Sequence, residues 1–330
     1  MYCLKCLRTL EIYALIVILW YPGFVFGDDL TKSFLSLSPD AISQSVGGAN
    51  PAFAVGAVDV FTNPALLSLH RQKSIQFSNM INSRNYHFSS VAFEMSLSNR
   101  SFAGVGLKGQ LNREAPQSKR NNVSITLIEP SQFALYLAFA HKFNALSFGI
   151  TLQYYQIQYQ RGDVNLSGKL ALVNFGGYYA INSNIQVGLT VKTPIRMQEK
   201  LLKTTPAEKY SFGVLWLPAI GKQFPFKIVL GVNRMNESPL KLNGGLIFTP
   251  MANTVTESMF SSRAGVGELG VNLQTAPDKR IHSFENTTFF TIGAGFGFNT
   301  GESWGINLDY CYQVKEYISN QHIITTRIRF

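Results

Sequence analysis

The sequence predicts an all-β protein: a closed antiparallel β-barrel of about fourteen strands that crosses a membrane, preceded by a small N-terminal plug segment. Three observations carry this. Apolar residues alternate with small or polar ones over most of the chain. Beyond the N-terminus no run of 18 or more apolar residues occurs, so hydropathy gives no reason to expect membrane-spanning helices. The composition is 46% hydrophobic and only 15% charged, so much apolar surface must face something other than water.

Residues 1–27 read as a secretory signal peptide. Lys5 and Arg8 precede the apolar run "IYALIVILW", Pro22-Gly23 breaks it, and a small-residue cleavage point lies near Gly27. A membrane anchor is the alternative, but Glu11 and Pro22 interrupt a run already short of the roughly 20 apolar residues a span requires. Cleavage removes Cys3 and Cys6 and leaves Cys311 alone, so no internal disulfide is expected. The absence of a cysteine at the cleavage point argues against a lipoprotein anchor.

Residues 28–72 precede the first regular strand and end in "DVFTNPALLSL". Pro64 disfavours helical backbone at Asn63, and the Asn63 side chain can bond nearby backbone where no ladder partner exists, so Asn63-Pro64 reads as a fixed corner ahead of the barrel wall. The compatible alternative is a short helix with Asn63 as its cap and Pro64 in first position.

Barrel strands are expected at about 73–80, 86–96, 101–111, 131–143, 145–160, 168–181, 184–193, 209–217, 225–234, 239–248, 262–273, 287–298, 302–314 and 321–330, an even number as in bacterial barrels. The clearest is "LSFGITLQY", with Leu146, Phe148, Ile150, Leu152 and Tyr154 on one face and Ser147, Gly149, Thr151 and Gln153 on the other. In "YQIQYQ" the period continues but its phase shifts at Tyr154-Tyr155, as a bulge would produce. Ile185 to Val191, Phe290 to Phe298 and Trp304 to Tyr312 repeat the scheme; glycines within 293–297 leave room inside for a plug or a ligand. Trp304 and Tyr312 lie eight residues apart. At a rise of roughly 3.3 Å and a tilt of about 40° they are separated by about 20 Å, close to the height of an apolar band with aromatic girdles.

Connections test the reading independently, because such barrels have short periplasmic turns and longer outer loops. If the first strand runs outward, 97–100, 143–145, 181–184 and 299–302 are the short turns, and "NREAPQSKRNNVSITLIEP" and "PIRMQEKLLKTTPAE" are outer loops. Residues 249–262 break the rule, which predicts a missed strand or a short helix there. The chain stops on Phe330, the terminal aromatic that bacterial barrels commonly present to the barrel assembly machinery.

The net charge of +10 is dispersed with no block resembling a nucleic-acid arm, so an anionic membrane surface or simple solubility is the expected use. The basic loops 112–122 and 200–209 are placed outside, facing outer-membrane lipids and the phosphates of surface glycolipid, or merely solvated. The histidines, His70, His87, His141, His282 and His322, are scattered, with no nucleophile elbow, paired carboxylates or metal spacing, so neither catalysis nor a cofactor or metal is expected. On the small and polar phase, Lys192, Glu268, Asp309, Arg327 and Arg329 face the lumen, where they order a carboxylate-bearing ligand or pair with one another. Cys311 shares that phase and is expected to be packed and inert.

At both ends the chain resembles a known family. "SVGGANPAFAVGAVDVFTNPALLSL" is similar to the N-terminal segment of outer-membrane barrels related to the long-chain fatty-acid transporter FadL, above all the PorV/PorQ branch. Gly47, Gly48, Ala49, Asp59, Asn63, Pro64 and Ala65 stand for its Gly-Gly-Ala, acidic and Asn-Pro-Ala positions. The closing "WGINLDYCYQVKEY…HIITTRIRF" looks like the group's last two strands, while Asn50-Pro51 departs from the pattern. The resemblance implies that 28–72 plug the barrel in the bacterial outer membrane and that hydrophobic, fatty-acid-like molecules pass. Alternatively it implies a non-conducting shuttle or scaffold of a type IX secretion system, partnered by other secretion proteins and acting through its outer loops.

Overall fold

The computed structural model describes residues 34–35, 38–82, 87–110, 118–120, 123–125, 131–161, 164–199, 208–218, 226–235, 240–249, 259–271, 289–299, 304–315 and 320–330. The signal peptide, the outer loop 200–207 and most of 249–262 lie outside them.

The strands are β1 (Ser74–Asn82), β2 (His87–Ser96), β3 (Ser101–Gln110), β4 (Ser118–Arg120), β5 (Val123–Ile125), β6 (Ser131–Phe143), β7 (Leu146–Arg161) and β8 (Val164–Ala180). They continue as β9 (Ile185–Glu199), β10 (Lys209–Trp216), β11 (Phe226–Met235), β12 (Leu240–Phe248), β13 (Met259–Val271), β14 (Phe289–Asn299), β15 (Gly305–Lys315) and β16 (Gln321–Arg329). Strands β4 and β5 pair only with each other, as a hairpin within what the sequence reads as an outer loop. The other fourteen close into one antiparallel barrel in sequence order, with β1 sealed against β16 from Ser74↔Arg329 to Asn82↔Gln321. Closure leaves no open edge along the sheet, so the wall can sit in lipid. This is the fold of a bacterial outer-membrane barrel.

Alternation decides which side chains meet lipid. On β7, Phe148, Leu152 and Tyr154 point outward and are exposed, while Ser147, Thr151 and Gln153 point inward and are buried. Leu137 and Phe139 on β6, Phe175 on β8 and Phe290, Ile292 and Phe296 on β14 extend the same outward apolar band. The short turns at 97–100, 144–145 and 181–184 share one rim with both barrel ends, where the Phe330 amide donates to the Lys73 carbonyl at 3.0 Å. In bacterial outer-membrane barrels short turns of this kind lie on the periplasmic side, and this rim is called periplasmic below on that rule.

The phase shift at Tyr154-Tyr155 is not a bulge. The β6–β7 ladder runs unbroken from Ser131↔Gln158 to Phe143↔Leu146, and the β7–β8 ladder is equally continuous. What changes is the chemistry of the two faces: above Tyr154 the outward residues become Gln156 and Gln158, and the inward ones become Tyr155 and Ile157, both buried. On β8, Lys169 and Ser167 likewise point out while Leu170 and Leu172 point in. The wall therefore turns polar outside and apolar inside as it leaves the band. True register shifts occur instead between Ala171 and Leu172, where β9 bulges beside Pro194, and between Leu242 and Gly244 on β12.

Inside runs the segment 38–70, mostly buried, and the chain surfaces at 71–73 before β1. It contains α1 (Ala41–Ser45) and two 3-10 turns, η1 (Ala57–Phe61) and η2 (Pro64–Leu69). Asp40 caps α1, accepting from the Ser43 amide at 2.7 Å and from the Ser38 hydroxyl at 3.0 Å. The chain leaves α1 through Gly47 and Gly48, at φ 68° and 74°, with their amides donating to Gln44 and Ser43 carbonyls. Left-handed backbone at a helix exit favours glycine. Both readings of the Asn63-Pro64 corner hold together: Asn63 caps η2 by accepting from the Ala65 amide at 3.1 Å, with Pro64 in first position.

The wall makes room with inward glycines. A Cβ on Gly293 would lie 2.6 Å from Ser45 Cβ, one on Gly265 or Gly245 would meet Val46 backbone, and one on Gly149 would lie 2.5 Å from the Ala65 amide nitrogen. The segment thus lies directly on the sheet backbone from β14 round to β7.

Candidate functional site

An irregular chain inside a barrel has backbone groups without ladder partners, and each must be satisfied. The lumen-facing polar side chains do this. Thr291 Oγ1 donates to Ser45 O at 3.1 Å, Thr151 Oγ1 to Val60 O at 3.2 Å, Asn174 Nδ2 to Thr62 O at 2.7 Å and Arg327 to Val55 O. Lys108 Nζ and Lys192 Nζ donate to the adjacent carbonyls of Phe34 and Leu35 at 3.1 and 3.4 Å.

These two lysines mark the outer half of the lumen. Lys108 is fully buried, its ammonium 5.3 Å from the ring centres of Phe34 and Phe88, 5.8 Å from Phe61 and 5.9 Å from Tyr136. Such a contact stabilises a desolvated cation by about 2 kcal/mol. Phe34 packs edge-on against Phe88 at 5.3 Å and tilted against Tyr155 at 5.5 Å. Met80, Ile157, Leu170, Leu172 and Ile323 belong with Phe34, Phe88 and Tyr155 to one buried apolar cluster, called the chamber below. The apolar inner faces of β7 and β8 above the membrane band are its wall.

Polar groups in the chamber are few. Tyr155 OH donates to Gln132 Oε1 at 2.8 Å. The Tyr136 hydroxyl and the Gln153 amide, cross-strand neighbours, are buried beside each other, and neither makes a hydrogen bond of good geometry among the described residues. An apolar cavity wall with a handful of converging polar groups is the usual composition of a small-molecule site.

The residues singled out in the sequence fall in different places. Lys192 belongs to the chamber. Arg327 holds the Val55 carbonyl near the periplasmic rim, and Arg329 Nη2 donates to Asn307 Oδ1 at 3.4 Å. Asp309 is buried and paired with Arg263 at 2.6 Å, a partner outside the sequence-based set. Glu268 lies in β13 at the register shift, its side chain outside the described residues. Cys311 is buried in the wall. Of the plug-motif residues, Gly47 and Gly48 form the α1 exit, Ala49 rests against Gly231, Asp59 closes a loop on Val55 and Gly56, and Asn63, Pro64 and Ala65 seat on Gly149 and Gly176. Lys108 was missed, although it shares the inward phase with Gly104 and Gly106 and the same rule that selected Lys192 applies to it.

No family model and no curated protein matches the chain in sequence. Solved structures do match it in fold. The CymD monoaromatic hydrocarbon channel superposes with a TM-score of 0.59 over 90% of this chain and 98% of its own, at 11% identity. The toluene transporter TodX of Pseudomonas putida gives 0.59 over 88% and 96%, at 10% identity. A FadL homologue of Pseudomonas aeruginosa gives 0.56 over 94% and 99%, at 8% identity. The chain has the fold of the FadL-like outer-membrane barrels.

Proposed function

We propose that the protein is an outer-membrane channel for hydrophobic small molecules that carry an acidic group, fatty-acid-like in chemistry, which enter from outside and lodge in the chamber now filled by Phe34. One observation carries the reading: Lys108 of β3 and Lys192 of β9, four strand positions apart in the wall, converge on the adjacent Phe34 and Leu35 carbonyls beside an otherwise apolar, aromatic-rich cluster. A carboxylate with an alkyl or aryl body meets the same two demands, placing negative charge at the ammonium groups and carbon against the rings. Burying Phe34 stabilises its position by on the order of 2 kcal/mol, so a ligand with more than a few apolar carbons can displace it. The residues 28–72 act as the plug that such a ligand must pass. The fold shared with hydrocarbon channels and a FadL homologue supports passage of hydrophobic molecules. It lends no support to the alternative of a secretion component.

The test is native mass spectrometry of the detergent-purified mature protein with lipid extraction of the same sample, alongside titration with a long-chain fatty acid and its methyl ester. The expected result is an acidic lipid at near one per chain, with the ester and the Lys108→Met variant each binding about tenfold or more weakly, the loss expected for one charge-assisted hydrogen bond. An empty chamber that takes neither ligand overturns the channel reading, and equal affinity for acid and ester overturns the assignment of the acidic group.

A further inference from the structure

We propose that Asp59, His70, Glu94 and Arg327 form a proton-responsive latch at the periplasmic foot of the inner segment, closed when His70 carries its proton and loosened when it does not. Asp59, on η1, is completely buried. Its carboxylate accepts from the Val55 amide at 3.1 and 3.3 Å and the Gly56 amide at 3.2 Å, closing the loop 55–59 on itself. His70 Nε2 lies 3.3 Å from the same carboxylate. Because His70 sits where the chain leaves η2 for β1, this bond ties the loop to the exit of the segment.

The wall closes over the site from two strands. Arg327, on β16, donates to the Val55 carbonyl, and Glu94, on β2, accepts from the Ser74 hydroxyl at 2.7 Å. The seam is incompletely satisfied: Glu94 Oε2, Arg327 Nε and both polar atoms of the Gln76 amide are buried without hydrogen-bond partners among the described residues. Buried polar atoms in this number call for bridging water or for a second arrangement of the loop.

Charge favours a protonated His70. The charged groups that face it are Asp59 from η1, Glu94 from β2 and Arg327 from β16. Two carboxylates against one guanidinium leave a negative charge uncompensated, and an imidazolium balances it. Burial alone would lower the His70 pKa, but the Glu94 and Asp59 carboxylates reverse this and hold it above its ordinary value. A folded-state pKa above the unfolded one stabilises the closed latch fully below the ordinary histidine value, and that stabilisation is lost as pH rises through the raised value. What the latch means for passage rests on the channel reading above, since the loop 55–59 then bars the way to the periplasm.

The experiment is hydrogen–deuterium exchange of the mature protein in lipid nanodiscs, following the peptide spanning 55–60 from pH 5.5 to 9, with each rate divided by the intrinsic rate at that pH. Protection should fall about tenfold across the titration of His70 and become independent of pH in His70→Gln. Wild-type protection that stays constant overturns the latch, as does a His70→Gln variant that keeps the wild-type slope. Glu94→Gln leaves the imidazole in place and should move the midpoint to lower pH; an unmoved midpoint counts against the proposal. A pH-dependent latch in a barrel that binds no hydrophobic ligand removes the channel reading and keeps the latch. Ligand uptake with constant protection does the reverse.

Discussion

The Arg263 guanidinium donates to the Asp309 carboxylate at 2.6 Å across the lumen face of β13 to β15, with side chains only 4% and 5% exposed. Gly295, on the strand between, leaves the room: a Cβ there would collide with both members of the pair. The pair is nonetheless incompletely satisfied, because Arg263 Nε and Asp309 Oδ2 have no hydrogen-bond partner among the described residues. Removing one partner strands a charge in the barrel interior, so Asp309→Ala or Arg263→Ala should cost about 3–5 kcal/mol in reversible urea unfolding from lipid. Replacing both by apolar residues, Arg263→Met with Asp309→Leu, should recover most of that loss. A double variant as unstable as the singles would assign the cost to packing instead.

Asp40 gives a second separation of charge from hydrogen bonding. Its carboxyl is fully buried, and burial raises its pKa above the ordinary carboxylate value despite the hydrogen bonds from Ser43 and Ser38. An acid raised in this way opposes folding increasingly as pH climbs above its ordinary value and has no such effect below it. Asp40→Asn keeps an acceptor for the Ser43 amide and removes the charge, so it should match or exceed the wild type at neutral pH. Asp40→Ala loses the cap at about 1 kcal/mol. Hydrogen–deuterium exchange of the peptide spanning 38–48, compared at pH 5 and pH 8 with each rate divided by the intrinsic rate, reads both effects.

The wall was legible in the sequence because a strand facing lipid has a period of two that nothing else in the chain imitates. Fourteen barrel strands fall within a few residues of their expected places, and the largest extensions, at β8 and β9, are above the band, where the apolar outer face no longer marks the strand. The same one-dimensional signal misreads Tyr154-Tyr155. An apolar residue on the wrong phase is produced equally by a bulge or by an inner face that becomes apolar, and only cross-strand register separates the two. The chamber therefore lay hidden in what looked like an irregularity. The partners of the lumen charges were equally invisible: Lys192 and Arg327 bond backbone carbonyls of the inner segment, which carry no residue-type signal, and Arg263 meets Asp309 only through barrel closure.

Tyr136 tests whether the chamber is built for a ligand or for packing alone. Its ring packs edge-on against Phe61 at 4.7 Å, while its buried hydroxyl has the Gln153 side chain beside it but makes no hydrogen bond of good geometry among the described residues. Such a hydroxyl destabilises an empty site by about 1–3 kcal/mol, so Tyr136→Phe should raise the stability of the unliganded barrel by about 1 kcal/mol. A ligand that accepts this hydroxyl should bind several-fold more weakly to the variant. Isothermal titration with a long-chain carboxylate, beside thermal unfolding of the empty protein, measures both. A variant less stable than wild type would show that the hydroxyl already has a partner, Gln153 or water.

Asn63 makes three hydrogen bonds with one side chain. Its Oδ1 accepts from the Ala65 amide at 3.1 Å, and its Nδ2 donates to the Pro51 carbonyl at 2.6 Å and to Gly177 of β8 at 3.0 Å. The side chain therefore joins two parts of the inner segment to the barrel. Asn63→Ala removes a cap and leaves two carbonyls short of a donor, about 2–4 kcal/mol in all, charged against the seating of the segment and not the wall ladder. The barrel should still form, shown by its heat-dependent gel mobility, while protease cuts appear between 38 and 70 and conductance in planar bilayers rises. Gly149→Val approaches the corner from the other side, since its Cβ would lie 2.5 Å from the Ala65 nitrogen and the Pro64 carbonyl carbon. If 28–72 are the plug, both variants open the same leak. A closed, protease-resistant barrel in either would place the barrier elsewhere in the lumen.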